Sequence, residues 1–421
     1  MKKTPPYQHI AKDLEIGETQ MRKAAEQFGT PLYLYDAKKL RHNYQELRNF
    51  IPDTVTIYYS AKANPNKWLT ELFYQNGANV EVASFGELMM LKERKIPGER
   101  TILVGPGKSN ELLEAAVEYG IACLVVESAG ELERLNAIAA EKKKQVNTVF
   151  RINPCFCSSS MLTMSGNTQF GMDEEEVLRY FKSQEAYPFL RFLGIHVYSG
   201  TEITDQEVFL SNTIEILEIT KRMQEQSGSR FEFVDIGGGI GIPYFEKETE
   251  CVLAQVKERL SSTVEEYQKQ YPETRIALES GRYLTGNAGI FLTRVMDKKK
   301  VKGKLYAILD GGTNNLLYSS QYGVRIPPMQ VIGKESGELE SVTFCGPLCT
   351  PTDRMALNAE VPSCGEGDLI AFFQAGAYGT TIAPGFFLSH GFPSEVLYTE
   401  GRLELIRKRA GWKEILEMQE V

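Results

Sequence analysis

Short apolar runs alternate with longer amphipathic stretches between about residue 55 and residue 285. The runs are rich in β-branched and aromatic residues, whereas the stretches between them, such as "NELLEAAVEYG", carry a helical repeat. This alternation predicts eight strands: "VTIYYS" (55–60), "NVEVAS" (79–84), "TILVG" (101–105), "CLVVES" (123–128), "NTVFRIN" (147–153), "FLGIHVYS" (192–199), "FEFVDIG" (231–237) and "RIALES" (275–280). Eight βα repeats over about 230 residues predict the α/β class, with a (β/α)8 TIM-like barrel over residues 36–285.

The pattern changes after residue 285. "NAGIFLTRVMDKKKVKGKLYAILDGG" indicates two strands around a basic turn, and "LESVTFCG", "DLIAFFQAG", "SEVLYTE" and "RLELIRKR" indicate four more. With few helical patterns between them, these runs predict a mostly antiparallel C-terminal β domain over residues 286–421. The N-terminal segment 1–35 contains the helical stretch "GETQMRKAAEQFG", and we expect it to pack with the β domain.

Composition narrows the classes of partner and location. The 421 residues carry 47 Lys and Arg against 55 Asp and Glu, a formal net charge of −8, which argues against a nucleic-acid partner. There is no run of about 18 apolar residues and no apolar signal-peptide core, so we expect neither a membrane span nor export. An odd number of cysteines, seven, then indicates reduced thiols in the cytoplasm. Cys155 and Cys157 lack a second pair, so we expect no metal site.

Lys62, in "YYSAKANPNKWL", stands where a buried strand ends. A lysine there can simply extend its amine to water along apolar surface. In a low-dielectric site it can instead become a nucleophile for a carbonyl and form a Schiff base with an aldehyde cofactor. The "NPN" that follows can stop the strand and cap the next helix.

The carboxyl ends of barrel strands open on one face, so the predicted fold brings several unlike groups together there. "DIGGGIG" can be a tight βα turn or a phosphate site; its spacing is not that of a dinucleotide fingerprint. Glu279 and Arg282 can form a structural ion pair, or hold a pyridine nitrogen and an anion, respectively. His196 can be a core residue or can stack on a cofactor ring.

Seven motifs occur in order between residues 58 and 380: "YYSAKAN", "VEVASFGEL", "HVYSGTE", "DIGGGIG", "ESGRYL", "GPLCTPTD" and "GAYGT". Together they resemble the fold-type III pyridoxal-phosphate decarboxylases, the group of diaminopimelate, ornithine and arginine decarboxylases. The resemblance covers nearly the whole chain. It implies a homodimer with shared active sites, in which the β domain closes the barrel mouth.

The resemblance also implies roles for individual residues around pyridoxal 5'-phosphate. Lys62 would carry the cofactor as an internal aldimine, and His196 would stack on its ring. Glu279 would pair with the pyridine nitrogen. The phosphate and the remaining cofactor contacts would fall to Ser199, Gly237, Gly238, Gly239, Gly281, Arg282 and Tyr378.

The implied reaction is decarboxylation of an α-amino acid to the amine and CO2, through an aldimine and a quinonoid intermediate. Cys349, from the partner subunit, or the freed Lys62 would reprotonate the product.

The substrate end departs from the family pattern. Thr350 stands where diaminopimelate decarboxylases have glutamate and ornithine-type enzymes have aspartate, and an acid appears only at Asp353. Tyr198 replaces the usual glycine, and Arg325 is displaced from its usual place. The chain therefore resembles more closely the secondary-metabolism branch, which includes enzymes acting on glutamate attached to an acyl-carrier protein. The expected substrate contacts are Arg282, Thr350, Asp353 and Tyr378.

Three alternatives stay open. The first is a meso-diaminopimelate decarboxylase of lysine biosynthesis. The second is an amino-acid racemase, against which "GPLC" argues. The third is a non-catalytic homologue that acts as a binding protein, against which the joint presence of Lys62, Glu279 and Cys349 argues.

Overall fold

The computed structural model describes two compact units. It covers residues 13–154, 162–163 (backbone only), 166–245, 249–317, 326–334 and 338–419. The barrel unit consists of Tyr44–Ile242 and Thr249–Tyr283, and the sheet unit consists of Met1–Asn43, Pro243–Glu248 and Leu284–Val421.

Strands and helices are numbered in chain order. The strands are β1 (Leu32–Asp36), β2 (Val55–Ser60), β3 (Asn79–Val82), β4 (Thr101–Leu103), β5 (Cys123–Val126), β6 (Val146–Ile152), β7 (Leu162–Thr163), β8 (Leu190–Val197), β9 (Gly200–Thr201), β10 (Phe233–Asp235), β11 (Arg275–Ser280), β12 (Gly289–Val301), β13 (Lys304–Leu309), β14 (Met329–Val331), β15 (Leu339–Cys345), β16 (Arg354–Pro362), β17 (Leu369–Phe372), β18 (Ser394–Thr399) and β19 (Arg402–Arg407). The helices are α1 (Glu18–Phe28), α2 (Ala37–Phe50), α3 (Lys67–Gln75), α4 (Phe85–Glu93), α5 (Asn110–Tyr119), α6 (Ala129–Glu141), α7 (Glu174–Lys182), α8 (Gln206–Ser227), α9 (Lys257–Gln270), α10 (Arg282–Thr285) and α11 (Trp412–Glu417).

The barrel unit is built on a closed parallel barrel of eight strands, in the order β10-β11-β2-β3-β4-β5-β6-β8. Each of the eight apolar runs overlaps one of these strands, so the predicted barrel is confirmed. Part of the barrel interior is a buried apolar cluster. Its side chains are Tyr58, Ile102, Val104, Cys123, Val125, Val149, Leu193, Phe233 and Ala277.

Serine caps begin the helices that follow successive barrel strands. Ser84 accepts a hydrogen bond from the Glu87 amide at the start of α4, and Ser128 does the same for the Glu131 amide at the start of α6. In each case the glutamate side chain accepts a hydrogen bond from the amide just before the serine, at 2.7 Å for Ala83. These reciprocal bonds satisfy backbone N–H donors that the start of a helix leaves unpaired, and so fix the residue at which each helix begins.

The sheet unit contains a nine-stranded sheet with the path β16-β15-β13-β12-β1-β18-β19, and β17 joins β12 to β14. The pairs β1–β18 and β13–β15 are parallel and the others are antiparallel, so the predicted, mostly antiparallel β domain is confirmed. Helix α1 packs with this sheet through Met21, Ala24 and Ala25 against core residues that include Leu32 and Val396. No helix among the described residues has both the length and the apolar character that crossing a membrane requires.

A substitution at Gly194 tests how closely the barrel strands pack. It lies in β8 opposite Phe233 of β10, and a Cβ at this position would stand 2.0 Å from the Phe233 carbonyl oxygen. We predict that Gly194→Ala lowers the free energy of unfolding by about 3 kcal/mol or more, because backbone must move to admit the methyl group. Gly130→Ala, in α6, where a Cβ would meet the Arg134 side chain at an ordinary contact distance of 3.8 Å, should leave stability unchanged or slightly higher. Thermal unfolding of the two variants checks this, and equal melting temperatures would contradict it.

Candidate active site

Lys62 lies in a short 3₁₀ turn that directly follows β2. The Tyr59 hydroxyl donates a hydrogen bond to the Asn64 carbonyl oxygen at 2.7 Å, which ties the turn to the strand. Asn66 then caps α3, its side-chain oxygen accepting from the Trp68 amide at 3.1 Å. The "NPN" segment therefore caps the helix, as predicted, whereas the strand already ends at Ser60, before the turn that contains Lys62.

Two buried carboxylates and an aromatic ring surround the Lys62 amine. Its Nζ lies 2.9 Å from Oε1 of Glu81 and 3.9 Å from Oε2 of Glu279. The Tyr198 ring centroid is 5.4 Å from the same nitrogen, within the range of a cation–π contact. The side chain of Lys62 keeps 36% of its surface exposed, whereas those of Glu81 and Glu279 are buried. The amine is thus the accessible member of a group whose negative charges are inside the barrel.

Glu279, at the end of β11, is an ionised carboxylate. Burial would raise the pKa of Glu279, but the charge of Lys62 and the hydrogen bond with His196 outweigh burial and lower it to about 2. His196 Nε2 lies 3.1 Å from Oε1 of Glu279. Burial lowers the pKa of His196, so a neutral ring donates its Nε2 proton to Glu279. The buried Nδ1 of His196 has no hydrogen-bond partner within the described part of the chain.

Two further carboxyl groups near Glu279 have raised pKa values. Burial, followed by the charge of Glu279, raises the pKa of Glu81 to about 7 and that of Asp235 well above its ordinary value. Asp235 Oδ1 accepts the Gly237 amide at 2.9 Å. Ligand atoms of His196, Asp235 and Glu279 lie within 4.8 Å of one another, close enough to bind one metal ion. A metal would need Asp235 deprotonated, which burial and Glu279 both oppose, so this trio favours hydrogen bonding over metal binding.

The glycine run after β10 is packed against neighbouring backbone. Gly237 and Gly239 have φ of +65° and +84°, and a Cβ on Gly238 would come within 1.8 Å of the Glu279 carbonyl oxygen. A Cβ on Gly239 would come within 2.0 Å of the Gly200 carbonyl oxygen. The amides of Gly238 and Gly239 donate no hydrogen bond to another described residue. The run is therefore a tight turn that also offers free amides to an anion, although the next α-helix among the described residues begins only at Lys257 and the turn is not a direct βα connection.

The turn after β11 brings Arg282 beside an acid that the sequence pattern does not identify. Arg282 Nη2 lies 3.0 Å from Oε1 of Glu202, and both side chains are largely buried. A Cβ on Gly281 would lie 2.7 Å from the Ala63 Cβ, so this glycine lets the turn pack against the turn of Lys62. Ser199, at the end of β8, is also buried. The structure thus brings Arg282, Gly281 and Ser199 to the same end of the barrel as Lys62.

A second buried charge network at this end was not predicted. Arg151 Nη1 lies 3.0 Å from Oε1 of Glu127, and Lys108 Nζ lies 2.6 Å from Oε1 of Glu131. The positive charge of Arg151 also contributes to the low pKa of Glu279. Arg151 lies within β6, while Lys108 and Glu127 follow β4 and β5. The sequence feature that could have identified them is a charged residue in or shortly after an apolar run. Glu81, inside the run of β3, gave the same kind of signal.

The remaining predicted site residues belong to the sheet unit. Cys349 is exposed and Thr350 half-buried. Asp353 is buried, and its carboxylate accepts the Thr313 amide at 2.8 Å, the Thr313 hydroxyl at 2.9 Å and the Leu348 amide at 2.7 Å. These bonds order the "GPLCTPTD" turn, so Thr350 is better placed than Asp353 to meet a ligand.

Tyr378 is half-buried and adopts φ of +54°, a conformation that is uncommon for a bulky side chain. Such backbone strain persists only where surrounding structure imposes it and is frequent at functional sites. Arg325, Cys155 and Cys157 lie outside the described residues. Among the predicted and described site residues of the sheet unit, Tyr378 is therefore the one whose backbone itself indicates a constraint.

A profile described as "Pyridoxal-dependent decarboxylase, pyridoxal binding domain" matches residues 37–286, which contain the whole closed barrel. The chain belongs to this decarboxylase family. The match confirms the predicted cofactor, pyridoxal phosphate, and the predicted class of enzyme, a pyridoxal-phosphate-dependent amino-acid decarboxylase.

Relatives of this decarboxylase cover its full length. It is 34% identical to the L-glutamyl-[BtrI acyl-carrier protein] decarboxylase of Niallia circulans, over 96% of this chain and 97% of that one. It is 31% identical to the diaminopimelate decarboxylase of Aquifex aeolicus, over 99% and 98%. The crystal structure of diaminopimelate decarboxylase from Helicobacter pylori complexed with L-lysine superposes with a TM-score of 0.86 at 27% identity, covering 94% and 98%.

The residues at this end of the decarboxylase barrel fit the cofactor chemically. Lys62 offers an accessible amine for an aldehyde, and Glu279 offers an ionised carboxylate for a protonated ring nitrogen. The amides of Gly238 and Gly239 are suited to bind the phosphate. Side chains at these two positions would collide with neighbouring backbone, so the turn requires glycine there. The aldehyde, the ring nitrogen and the phosphate of pyridoxal phosphate thus each have a matching group in the barrel unit.

Asp235 allows a test of the protonation states in this cluster. Because burial, followed by the charge of Glu279, raises the pKa of Asp235 and so favours its neutral form, we predict that Asp235→Asn retains the melting temperature at pH 7, with the amide oxygen accepting from Gly237. Asp235→Ala leaves the Gly237 amide unpaired and should cost about 1–3 kcal/mol of unfolding free energy. Thermal unfolding at pH 7 measures both variants. Equal destabilisation of the two would show that an ionised Asp235 is required.

Proposed function

We propose that this enzyme holds pyridoxal phosphate at the carboxyl end of its barrel and uses it to decarboxylate an α-amino acid. The observation that carries the proposal is the accessible Lys62 amine, 3.9 Å from the ionised Glu279 carboxylate. An amine for the aldehyde and an anion for the ring nitrogen are two of the groups that this cofactor requires from a protein. The bound cofactor supplies an electron sink for the carbon that loses CO2.

In this proposal the chain's residues bind and orient the cofactor. Glu279 keeps its negative charge and so stabilises a proton on the ring nitrogen, while His196 holds Glu279 in place through the 3.1 Å contact. The tightly packed glycine turn binds the phosphate with preorganised amides, assisted by Ser199. Arg282 supplies positive charge for phosphate or substrate carboxylate. It is already oriented by Glu202, which limits the ordering cost on binding.

We further propose that the sheet unit contributes to the site in a homodimer, in which Cys349 comes from the partner subunit and Tyr378 contacts the phosphate, as the family resemblance implies. Cys349 is exposed, as a residue that serves a partner subunit must be. A reduced thiol at that position requires a reducing compartment, which agrees with a cytoplasmic location.

For the substrate we propose an amino acid joined to an acyl-carrier protein. A neutral Thr350, at the position where related enzymes carry an acid, suits a substrate whose far end is an amide or thioester without charge. The 34% identity with a decarboxylase named for a carrier-linked glutamyl substrate, over nearly both whole chains, supports this choice. Free meso-diaminopimelate is the second candidate, favoured by the relatives that bear that name.

A CO2-release screen separates the two candidates. We predict at least a tenfold higher kcat/KM for glutamate thioesterified to a carrier protein than for free glutamate or meso-diaminopimelate, about 1.4 kcal/mol of discrimination or more. Lys62→Ala provides the inactive blank. Lys67→Ala, which removes an exposed ammonium paired with Glu93, should retain full activity. Fast release from free meso-diaminopimelate and none from the carrier-linked amino acid would contradict the proposed substrate.

A further inference from the structure

Glu81 is an acid in the middle of a buried parallel strand. It lies in β3 between Val80 and Val82, and its side chain is fully buried. Leaving a carboxyl group there costs free energy, because burial disfavours its charged form. Its one ion-pair partner within the described residues is Lys62, whose Nζ lies 2.9 Å from Oε1. A structural role for the strand would be served better by an apolar side chain, so the position of Glu81 calls for a role at Lys62.

The groups around Glu81 set its protonation. Lys62 favours the charged form, whereas Glu279 on β11 favours the neutral form, and together with burial these effects raise the pKa of Glu81 to about 7. The charge of Glu81 in turn contributes to the raised pKa values of Asp235, on β10, and of Tyr198, just after β8.

The neighbouring elements add little further charge. On the β2 side Ser60 is Glu81's register partner, and its hydroxyl favours the charged form of Glu81. On the β4 side the partner is Ile102, which cannot titrate. Glu87 of α4, whose pKa burial also raises, lies within electrostatic range of Lys62. Glu81 is thus a carboxyl group that can gain or lose a proton near neutral pH at hydrogen-bond distance from the amine.

We propose that Glu81 is the acid–base partner of Lys62, taking the proton that its ammonium must lose before it bonds to an aldehyde and returning one when it leaves. In the forward direction Oε1 of Glu81 gains the proton and Nζ keeps the electron pair. In the reverse direction the O–H bond of Glu81 breaks, and Lys62 departs as an ammonium when an incoming amine takes its place. The inference rests on the proposed bond between Lys62 and the cofactor.

Glu279 is unsuited to the same task. Its Oε2 is 3.9 Å from Lys62 Nζ, beyond hydrogen-bond length, and its Oε1 is engaged by His196. Its pKa of about 2 makes it a poor proton acceptor at neutral pH. The two carboxyl groups therefore have different roles: Glu279 keeps a fixed negative charge, and Glu81 exchanges a proton with Lys62.

Methoxyamine displacement tests the proposal without using decarboxylation. This amine is unprotonated from pH 6 to pH 9 and removes the aldehyde from the lysine, so stopped-flow loss of visible absorbance in the loaded enzyme reports how readily Lys62 leaves. In the wild type we expect the rate of displacement to fall as pH rises through neutrality, because Glu81 then loses the proton that it would donate to the departing Lys62. Glu81→Gln should be slower at pH 6 by about 100-fold and independent of pH. Added formic acid should accelerate this variant and leave the wild type unchanged.

Glu81→Asp and Glu93→Gln complete the design. The aspartate variant keeps a carboxyl group, so it should keep a pH-dependent rate even if the glutamine variant loads poorly. Glu93→Gln, on the exposed end of α4, should behave as wild type. In the cofactor-free protein, the infrared difference between pH 6 and pH 8 should contain a carboxylic-acid band that Glu81→Gln lacks.

The outcomes separate this inference from the proposed function. A visible band that survives Lys62→Ala would overturn the role of Lys62, and the role of Glu81 with it. A band that requires Lys62, combined with the same pH–rate profile in wild type and Glu81→Gln, would overturn the role of Glu81 alone.

Discussion

The barrel unit depends on holding one ammonium group, that of Lys62, beside two buried carboxylates, Glu81 and Glu279. Charges removed from water are costly unless each has a partner at close range. The barrel meets this requirement by bringing the ends of β2, β3 and β11 side by side, so that residues distant in sequence neutralise one another. His196 and Arg151 extend the arrangement with further hydrogen bonding and positive charge. A barrel that closed less tightly would leave these charges without partners.

Much of the fold could be predicted, because parallel barrel strands are buried on both faces and appear as apolar runs. All eight runs became barrel strands, and the antiparallel C-terminal sheet was predicted from its shorter spacing. Strand β16 was not predicted. Asn358 within it has φ of +47°, and its pairing with β15 shifts register, so no simple alternation of side chains marks it. Strand β14, with three residues, is too short to show a period.

The residues of the candidate site also differ in whether the sequence alone could identify them. Residues that end a strand next to small or turn-forming residues, such as Lys62 and the glycine run, could be identified by motif. Glu81 was marked only as a charged residue inside an apolar run, and Glu202 by no local pattern, so only the closed barrel reveals the partner of each. Asp353 illustrates the converse: its position after "GPLC" suggests a ligand contact, yet its oxygens accept hydrogen bonds from the Thr313 amide and hydroxyl and from the Leu348 amide.

The central claim is that the Lys62 amine bonds covalently to pyridoxal phosphate in the resting enzyme. Borohydride reduction of the loaded protein, followed by proteolysis and peptide mass mapping, tests it most directly. We predict that the added cofactor mass falls on Lys62 and not on the neighbouring Lys67, and that Lys62→Ala abolishes the labelled peptide. Loaded protein whose Lys62 peptide is recovered unmodified after reduction would contradict the account.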